Sequence, residues 1–547
     1  MATHDVFNQP PPLEGYDAFG EDAALMEGVR RHGAAWAEES LNELGRRASA
    51  PESIAWGFEA NQHPPVLRTH DRYGHRLDRV DYHPSYHRLM EVAVAAGLHA
   101  APWEDSRAGA HVARAAGFYL WGQVDAGHGC PISMTYSVLP ALRAEPEVLA
   151  EWSPKLTSRD YDPSFVAVAG KRGALAGMGM TEKQGGSDVR ANTTRAEPAG
   201  GEGPGAYRLT GHKWFCSAPM SDLFLMLAQA PGGLSCFLVP RFAPDGEPNA
   251  LRLQRLKDKL GNRSNASSEV ELEGAWGRLL GEEGRGVRTI IAMVNHTRLD
   301  CMIGAASGMR QAVAQATHHA AYRTAFGAAL IDQALMRGVL ADLAVESEAA
   351  TATMLRLARA YDAASEADAH EVAFRRVATA VGKYWLCKRH PMLAAEALEC
   401  LGGNGYVEES ILPRLFRESP LNGIWEGSGN VICLDVLRAM ARSPESVEAY
   451  FAELDGAAGG DHRLDAAVER LRRELADTSQ IEARARRIVE NMALALQGAL
   501  LVRHGHPAVA DAFCASRLDG DWGRAFGTLP TGVDVHAIVE RARPKVA

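Results

Sequence analysis

At 547 residues with a formal net charge of −10, the chain is too long for one compact core and is not basic throughout, so several domains are expected and only a local basic patch stays open. The apolar content of 46% is ordinary for a globular protein, no apolar run is long enough to span a bilayer, and Met1-Ala2-Thr3-His4-Asp5 begins no basic-then-apolar leader, so a cytoplasmic protein with no membrane partner is expected. The eight cysteines are scattered without C-x-x-C spacing and the histidines without H-E-x-x-H spacing, so buried thiols in a reducing compartment are expected and no metal.

Residues 1–179 read as a mostly helical domain. Ala110 to Trp121 carries small and apolar residues at helical spacing, and proline breaks fall near Pro10 to Pro12 and Pro64 to Pro65. Over residues 180–281 the pattern changes to short β-prone runs: Tyr207 to Leu209, Trp214 to Cys216, Leu223 to Leu227, Cys236 to Val239 and Val270 to Leu272. Turn sequences such as Pro231-Gly232-Gly233 and Pro244-Asp245-Gly246 separate them, which predicts a small antiparallel β-domain. Over residues 282–440 long Ala- and Leu-rich helical patterns return (Ala305 to Tyr322, Leu330 to Ala360, Ala373 to Leu401) and predict a helical bundle domain, with Gly402-Gly403-Asn404-Gly405 ending the last helix. Residues 441–547 predict an extra helical domain, with a charged helix from Arg463 to Ala476 and a second from Gln480 to Leu501.

Two runs carry chemistry. Gly423-Ile424-Trp425-Glu426-Gly427-Ser428-Gly429-Asn430 places one carboxylate between apolar and aromatic neighbours, just before a helical run from Val431 to Met440. Glycines there let a backbone approach a flat cofactor, and a desolvated carboxylate suits a general base. Gly179-Met180-Thr181-Glu182-Lys183-Gln184-Gly185-Gly186-Ser187-Asp188 offers hydroxyls and backbone amides at a turn, which suits an anionic group. There is no strand-G-x-G-x-x-G-helix unit, so a Rossmann mode of binding is disfavoured. Read singly, the glycine pair makes a plain hairpin and the glutamate stabilises a helix start.

Together, and in this order, the two runs resemble the flavin signature and the catalytic-glutamate segment of the acyl-CoA dehydrogenase family. Within it, Leu256-Lys257-Asp258-Lys259-Leu260-Gly261-Asn262-Arg263-Ser264-Asn265-Ala266-Ser267 is similar to the branch tied to the adaptive response to DNA alkylation. The resemblance runs from Val6-Phe7-Asn8-Gln9-Pro10 to about Ala441. It implies an α+β fold of a helical domain, an antiparallel β-domain and a helical bundle, to which the last domain is an addition. It implies FAD as cofactor, with Met180, Thr181, Gly186, Ser187, Phe215, Cys216 and Ser217 at the flavin. It also places Ile424, Trp425, Ser428 and Asn430 there, and Arg323, Phe326, Gln333, Gly402 and Gly403 reaching a neighbouring subunit's FAD. A homotetramer, a dimer of dimers, is implied. Phe215 stands where the family more often has Trp, so only stacking carries over. Glu426 matches the base that takes the α-proton of an acyl thioester, and the alternative family position reads Thr297-Arg298, which leaves Glu426 without an obvious rival.

The resemblance further implies non-specific binding of double-stranded DNA by the last domain, together with weak dehydrogenation of acyl-CoA, isovaleryl-CoA being the suggested substrate. Arg438, Arg470, Arg473, Arg484, Arg487, Arg517 and Arg524 are the candidate phosphate contacts. Arg438, after Asn430, meets either an anion in the cleft or a carboxylate. The residues themselves are less telling. From Ala441 onward 14 basic and 16 acidic residues alternate, and Glu469/Arg473, Arg470/Glu474 and Glu482/Arg486 have the spacing of surface ion pairs. The other reading is a working metabolic acyl-CoA dehydrogenase with no DNA role.

Overall fold

The computed structural model describes residues 3–362 and 367–546. Helices α1 (Ala23–Arg31), α2 (Glu38–Ala48) and α3 (Pro51–Gln62) come first. A hairpin, β1 (Val66–His70) and β2 (Arg76–Asp81), then interrupts a stretch expected to be helical. Asp71 accepts from the backbone N–H groups of Tyr73 and His75 at 2.7 and 2.9 Å, and Gly74 takes a φ of +86°, so the chain reverses there. Helices α4 (Pro84–Ala95), α5 (Ala110–Gly122), α6 (Gly129–Leu142) and α7 (Pro146–Leu156) follow.

Seven strands come next: β3 (Ala176–Gly179), β4 (Arg195–Pro198), β5 (Ala206–Ser217), β6 (Leu223–Ala230), β7 (Gly233–Pro240), β8 (Leu251–Leu256) and β9 (Ser267–Leu280). Among the described residues, the regular structure that follows is helical apart from a two-residue-arm hairpin, β10 (Thr324–Ala325) and β11 (Ala328–Ala329). Its helices are α8 (Gly286–Tyr322), α9 (Ala334–Arg359), α10 (Ala369–Cys400), α11 (Leu412–Glu418), α12 (Gly429–Arg442), α13 (Pro444–Asp455), α14 (His462–Ala476), α15 (Ile481–His504), α16 (Pro507–Phe513) and α17 (Val535–Ala542). Among the described residues no helix is long and apolar enough to cross a membrane. All eight cysteines are buried and none is in a disulfide.

Packing divides the chain into two units: Glu52–Ser106 with Val124–Thr297, and the residues up to Pro51 with Arg107–Gln123 and those from Arg298 onward. In the first, β6–β4–β5–β9–β7 pair in sequence and β7 pairs back to β6, closing a ring of five strands, with β3 beside β6 and β8 beside β9. The ring encloses Leu209, Phe224, Met226, Phe237, Val239, Val270 and Leu272. β6 is fully buried from Leu223 to Ala228, which is why its sequence is one apolar run rather than an alternating one. The sheet is not wholly antiparallel as expected: β3 and β4 run parallel to β6. β3 and β4 pair along the same edge of β6, β3 at Leu223–Met226 and β4 at Gln229, and the long connection from Met180 to Thr194 lets β4 enter in the same direction as β3, which a short hairpin would forbid.

In the second unit α9 packs on α10, α15 and α17, and α10 packs on α12, α13 and α15. Chain beyond residue 441 is therefore built into the bundle. Trp385 Nε1 donates to Gln497 Oε1 at 3.1 Å, Tyr450 Oη to the Met492 carbonyl at 2.8 Å, and Arg356 pairs with both Glu371 and Glu453.

Candidate functional site

Glu426 stands in the turn between α11 and α12, half-buried, with a backbone φ of +58°. That left-handed conformation is uncommon for a residue with a Cβ and persists only where surrounding contacts impose it. Three consecutive carbonyl oxygens of the turn are held by buried cations. Lys383 Nζ, from the middle of α10, donates to the Trp425 oxygen at 2.8 Å and to the Gly427 oxygen. Arg298 Nε donates to the Glu426 oxygen at 3.0 Å, while Arg298 Nη1 pairs with Asp435 of α12 at 2.6 Å. Trp425 Nε1 is anchored on Asn422 Oδ1 at 2.8 Å. Gly427 takes a φ of +109°, and a Cβ there would stand 2.9 Å from Ile432 Cδ1. Around this turn Ile424 is 64% exposed, and Ser428 and Asn430 are exposed at the start of α12, where backbone N–H groups are unused by the helix.

The other run, in the first unit, is organised by a residue that sequence reasoning passed over. Glu182, fully buried, accepts from Thr193 N (2.7 Å), Thr194 N (3.1 Å), Gln184 Nε2 (2.8 Å) and Lys213 Nζ (2.9 Å). Burial alone would raise its carboxyl, but these hydrogen bonds and the ammonium outweigh it and hold it well below the usual carboxylate range. Burial pushes the Lys213 ammonium down, and the ammonium also donates a hydrogen bond to the Leu227 carbonyl at 2.7 Å. With its base fixed in this way, the turn from Lys183 to Asp188 stands exposed. A Cβ at Gly186 would fall 2.5 Å from Thr181 Oγ1, so only glycine leaves the cradle above Thr181 open. Met180 is half-buried and Ser187 exposed. β5 runs beside the turn through a bond from Trp214 N to the Thr181 carbonyl at 2.8 Å.

Phe215 on β5 is 50% exposed, with the Lys257 ammonium 4.8 Å from its ring centre, and Ser217 Oγ lies 3.1 Å from Ser267 Oγ. Cys216 is a correction. Strand alternation turns its thiol into the core, where burial pushes it up to about 12, so only its main chain is available to a ligand. In the second unit Arg323 donates to the Asn8 carbonyl and Gln333 Nε2 to the Ala325 carbonyl at 2.8 Å. Both brace the β10–β11 hairpin, whose tip residue Phe326 is 100% exposed. Gly402 and Gly403 are exposed, with nothing within 4 Å of an added Cβ.

The candidate DNA contacts divide. Arg517 is a correction: it is buried, paired with Asp342 and, at 3.3 Å, with Glu346, and has no surface to offer. Arg484 is spent on the carbonyls of Glu474, Asp477 and Ser479, where it caps the end of α14. Arg470 donates to the Leu518 carbonyl at 2.7 Å. Arg438, Arg473 and Arg524 are exposed, and Arg487, 80% exposed, only brushes Glu474 at 3.4 Å. Lys383 was missed too, although a single lysine inside Ala380-Val381-Gly382-Lys383-Tyr384-Trp385-Leu386 is a visible anomaly.

Known proteins share this architecture. The N-terminal domain model of the adaptive response protein AidB matches residues 8–163, the acyl-CoA dehydrogenase middle-domain model residues 177–275, and the acyl-CoA dehydrogenase C-terminal-domain model residues 284–441. The chain is 48% identical to the putative acyl-CoA dehydrogenase AidB of Escherichia coli K12, over 94% of this chain and 95% of that protein. Caenorhabditis elegans ACDH-11 in complex with C11-CoA superposes with a TM-score of 0.87 at 27% identity, over 95% of this chain and 94% of that one. An acyl-CoA dehydrogenase complexed with FAD from Bacillus anthracis shares the fold, with a TM-score of 0.66 at 18% identity, over 84% of this chain and 86% of that one. The chain belongs to the acyl-CoA dehydrogenase family, and it is an FAD-dependent oxidoreductase.

Proposed function

We propose that the chain dehydrogenates a short branched acyl-CoA thioester of the isovaleryl-CoA type, slowly, with Glu426 as the base, and that it binds double-stranded DNA without sequence preference as part of the response to DNA alkylation. The observation that carries the first half is the Glu426 turn: a half-buried carboxylate on a left-handed backbone, with its main chain fixed by Arg298 and Lys383. Such fixing suits a base that must meet a substrate Cα–H bond at one angle. Bound FAD supplies the hydride acceptor. Thr181, Gly186, Ser187, Phe215 and Ser217 are the residues that would hold it, with Arg323, Phe326, Gln333, Gly402 and Gly403 serving a neighbouring subunit's FAD in a dimer-of-dimers tetramer. Glu426 would receive the α-proton of the thioester, and Ile424 and Trp425 would shield the carboxylate from water. The acyl-CoA reading has the support of a relative crystallised with C11-CoA.

The DNA half is supported by the match of residues 8–163 to the N-terminal domain of the adaptive response protein AidB and by the exposure of Arg438, Arg473, Arg487 and Arg524. The place of action is proposed as the cytoplasm. Two measurements test the reading. Glu426→Gln keeps the shape and removes the base, so isovaleryl-CoA should bleach the wild-type flavin and leave the variant yellow; equal bleaching means Glu426 is not the base. Fluorescence anisotropy on several unrelated duplexes at three salt concentrations should give one affinity at each salt and a steep fall as salt rises. Absence of binding at low salt leaves a metabolic acyl-CoA dehydrogenase whose last hundred residues serve packing.

A further inference from the structure

We propose that Lys383 is a positioning residue: its buried ammonium clamps the carbonyls on either side of Glu426 and so imposes the left-handed backbone that aims the carboxylate. The inference rests on the acyl-CoA dehydrogenase reading of the Glu426 turn.

Lys383 is one of the largest fully buried side chains in the protein, 1% exposed in the middle of α10. Its hydrogen bonds go to the main chain at Trp425 and Gly427, 42 and 44 residues along the sequence, and skip the residue between. The skipped carbonyl, that of Glu426 itself, goes to Arg298. A flexible turn would leave three successive carbonyls free to rotate towards water; here all three are committed to cations. An ammonium suits this task because it is compact and carries three donors, so it can bridge two acceptors that are two residues apart.

The arrangement is a poor choice for stability. Among the described residues no carboxylate forms an ion pair with Lys383, and a buried charge compensated only by carbonyl dipoles is expensive. A methionine of the same length would fill the same space without that charge. A feature that raises the cost of folding while fixing one backbone beside the candidate base is expected of a functional constraint. The ammonium and the Glu426 carboxylate also share a neighbourhood, since the buried Cys301 thiol lies within the field of both. Arg298 differs in kind. It is tied to Asp435 as well as to the turn, so it links the turn to α12 and has a structural duty of its own.

The test uses the full-length FAD-loaded protein and compares wild type, Lys383→Met and Lys383→Gln. Hydrogen exchange followed by mass spectrometry should show amides of residues 421–428 exchanging at least about tenfold faster in Lys383→Met, the loss expected for one released clamp. Exchange elsewhere in α10 should stay as in wild type, and the melting temperature should fall by no more than about 4 °C. FAD content and the visible spectrum should be retained. Reduction of the flavin by saturating isovaleryl-CoA should slow by roughly 10²-fold, the cost of misaimed reacting groups, while the half-saturating concentration moves by less than about threefold. Lys383→Gln, which keeps a donor and loses the charge, should fall between.

Unchanged exchange in the turn together with unchanged flavin reduction overturns the proposal. So does failure of both variants to give folded, FAD-loaded protein, because Lys383 would then serve the stability of the bundle. If wild type itself is not reduced by isovaleryl-CoA, the substrate reading fails, and the exchange comparison alone decides the role of Lys383.

Discussion

Arg517 and Asp342, 175 residues apart in sequence, form an ion pair with both side chains sealed from solvent. Asp342 also accepts from Trp522 Nε1 at 3.1 Å and from the Gly527 amide at 2.8 Å, and the guanidinium lies 4.1 Å from the centre of the Trp522 ring. Glu346 on the next turn of α9 joins Arg517 to Arg389 of α10 at 3.0 Å. Two acids and two arginines therefore compensate one another inside the bundle. Removing one leaves an uncompensated buried charge, which costs far more than the net worth of the pair.

Arg517→Met is accordingly expected to destabilise the protein by about 3–5 kcal/mol, read from urea unfolding. Any loss of duplex binding in that variant should track the unfolded fraction. Cutting the chain after Ala441 should fail for the same reason: it strips Asp342 and Glu346 of Arg517, and the product should be insoluble or lack FAD. A soluble, yellow truncation would show that the last hundred residues fold apart from the bundle.

Gly427→Ala probes the Glu426 turn from its other side. The new methyl meets Ile432 Cδ1 at 2.9 Å, and φ is +109°, so both space and backbone oppose it. The expected outcome is flavin reduction by isovaleryl-CoA slowed by roughly tenfold or more with the melting temperature lowered by no more than about 4 °C, as strain is released by moving the turn. Stopped-flow absorbance and a thermal melt check it; a wild-type rate would mean the turn tolerates displacement.

The elements legible in the sequence were those with one dominant period. The runs Leu223 to Leu227 and Cys236 to Val239 became β6 and β7 because both faces are buried, and Ala373 to Leu401 became α10 because small apolar residues recur on every face. The β1–β2 hairpin was lost because Val66 to Asp81 is only partly buried, so its pattern lacks the alternation that burial imposes; the Asp71-Arg72-Tyr73-Gly74 turn was the available sign. At the candidate site, Glu426 could be picked out by its neighbours in sequence. Lys383 and Arg298 could not, since what identifies them is a carbonyl 42 or 128 residues away. Arg517 failed as a DNA contact for the same reason: sequence reports a charge but not its partner.

If DNA is bound, the contacts should be arginines with exposed heads. Arg487→Gln and Arg473→Gln are expected to weaken binding equally on unrelated duplexes and to reduce the salt slope by about 0.9 for each phosphate that is no longer neutralised. Arg484→Gln should behave differently. Its guanidinium closes the end of α14 on three carbonyls, so it should lower the melting temperature before it alters the salt slope. Identical slopes in wild type and in the Arg473/Arg487 double variant would move the interface elsewhere.

His390 gives the protein an acid-sensitive point inside the bundle. It is buried in α10, neither ring nitrogen has a hydrogen-bond partner among the described residues, and Gly308 of α8 packs so closely that an added Cβ there would touch Nε2. Burial alone pushes its imidazole down to about 4. In the unfolded chain the same ring titrates near 6.5, so on acidification the unfolded state takes up a proton first. The histidine is therefore neutral in its effect above about pH 7, and stability is lost as pH falls from about 6.5 towards 4, after which both states are protonated. At pH 5 the loss from this one group is about 2 kcal/mol. His390→Leu removes the titration and fills a similar space. Urea unfolding of both proteins at pH 7.5 and pH 5 should show the difference between them widening by that amount in favour of the variant. Other buried histidines, such as His319, cancel in the comparison because both proteins keep them. A difference that stays the same at the two pH values would show that the folded protein accommodates a charged ring at this position.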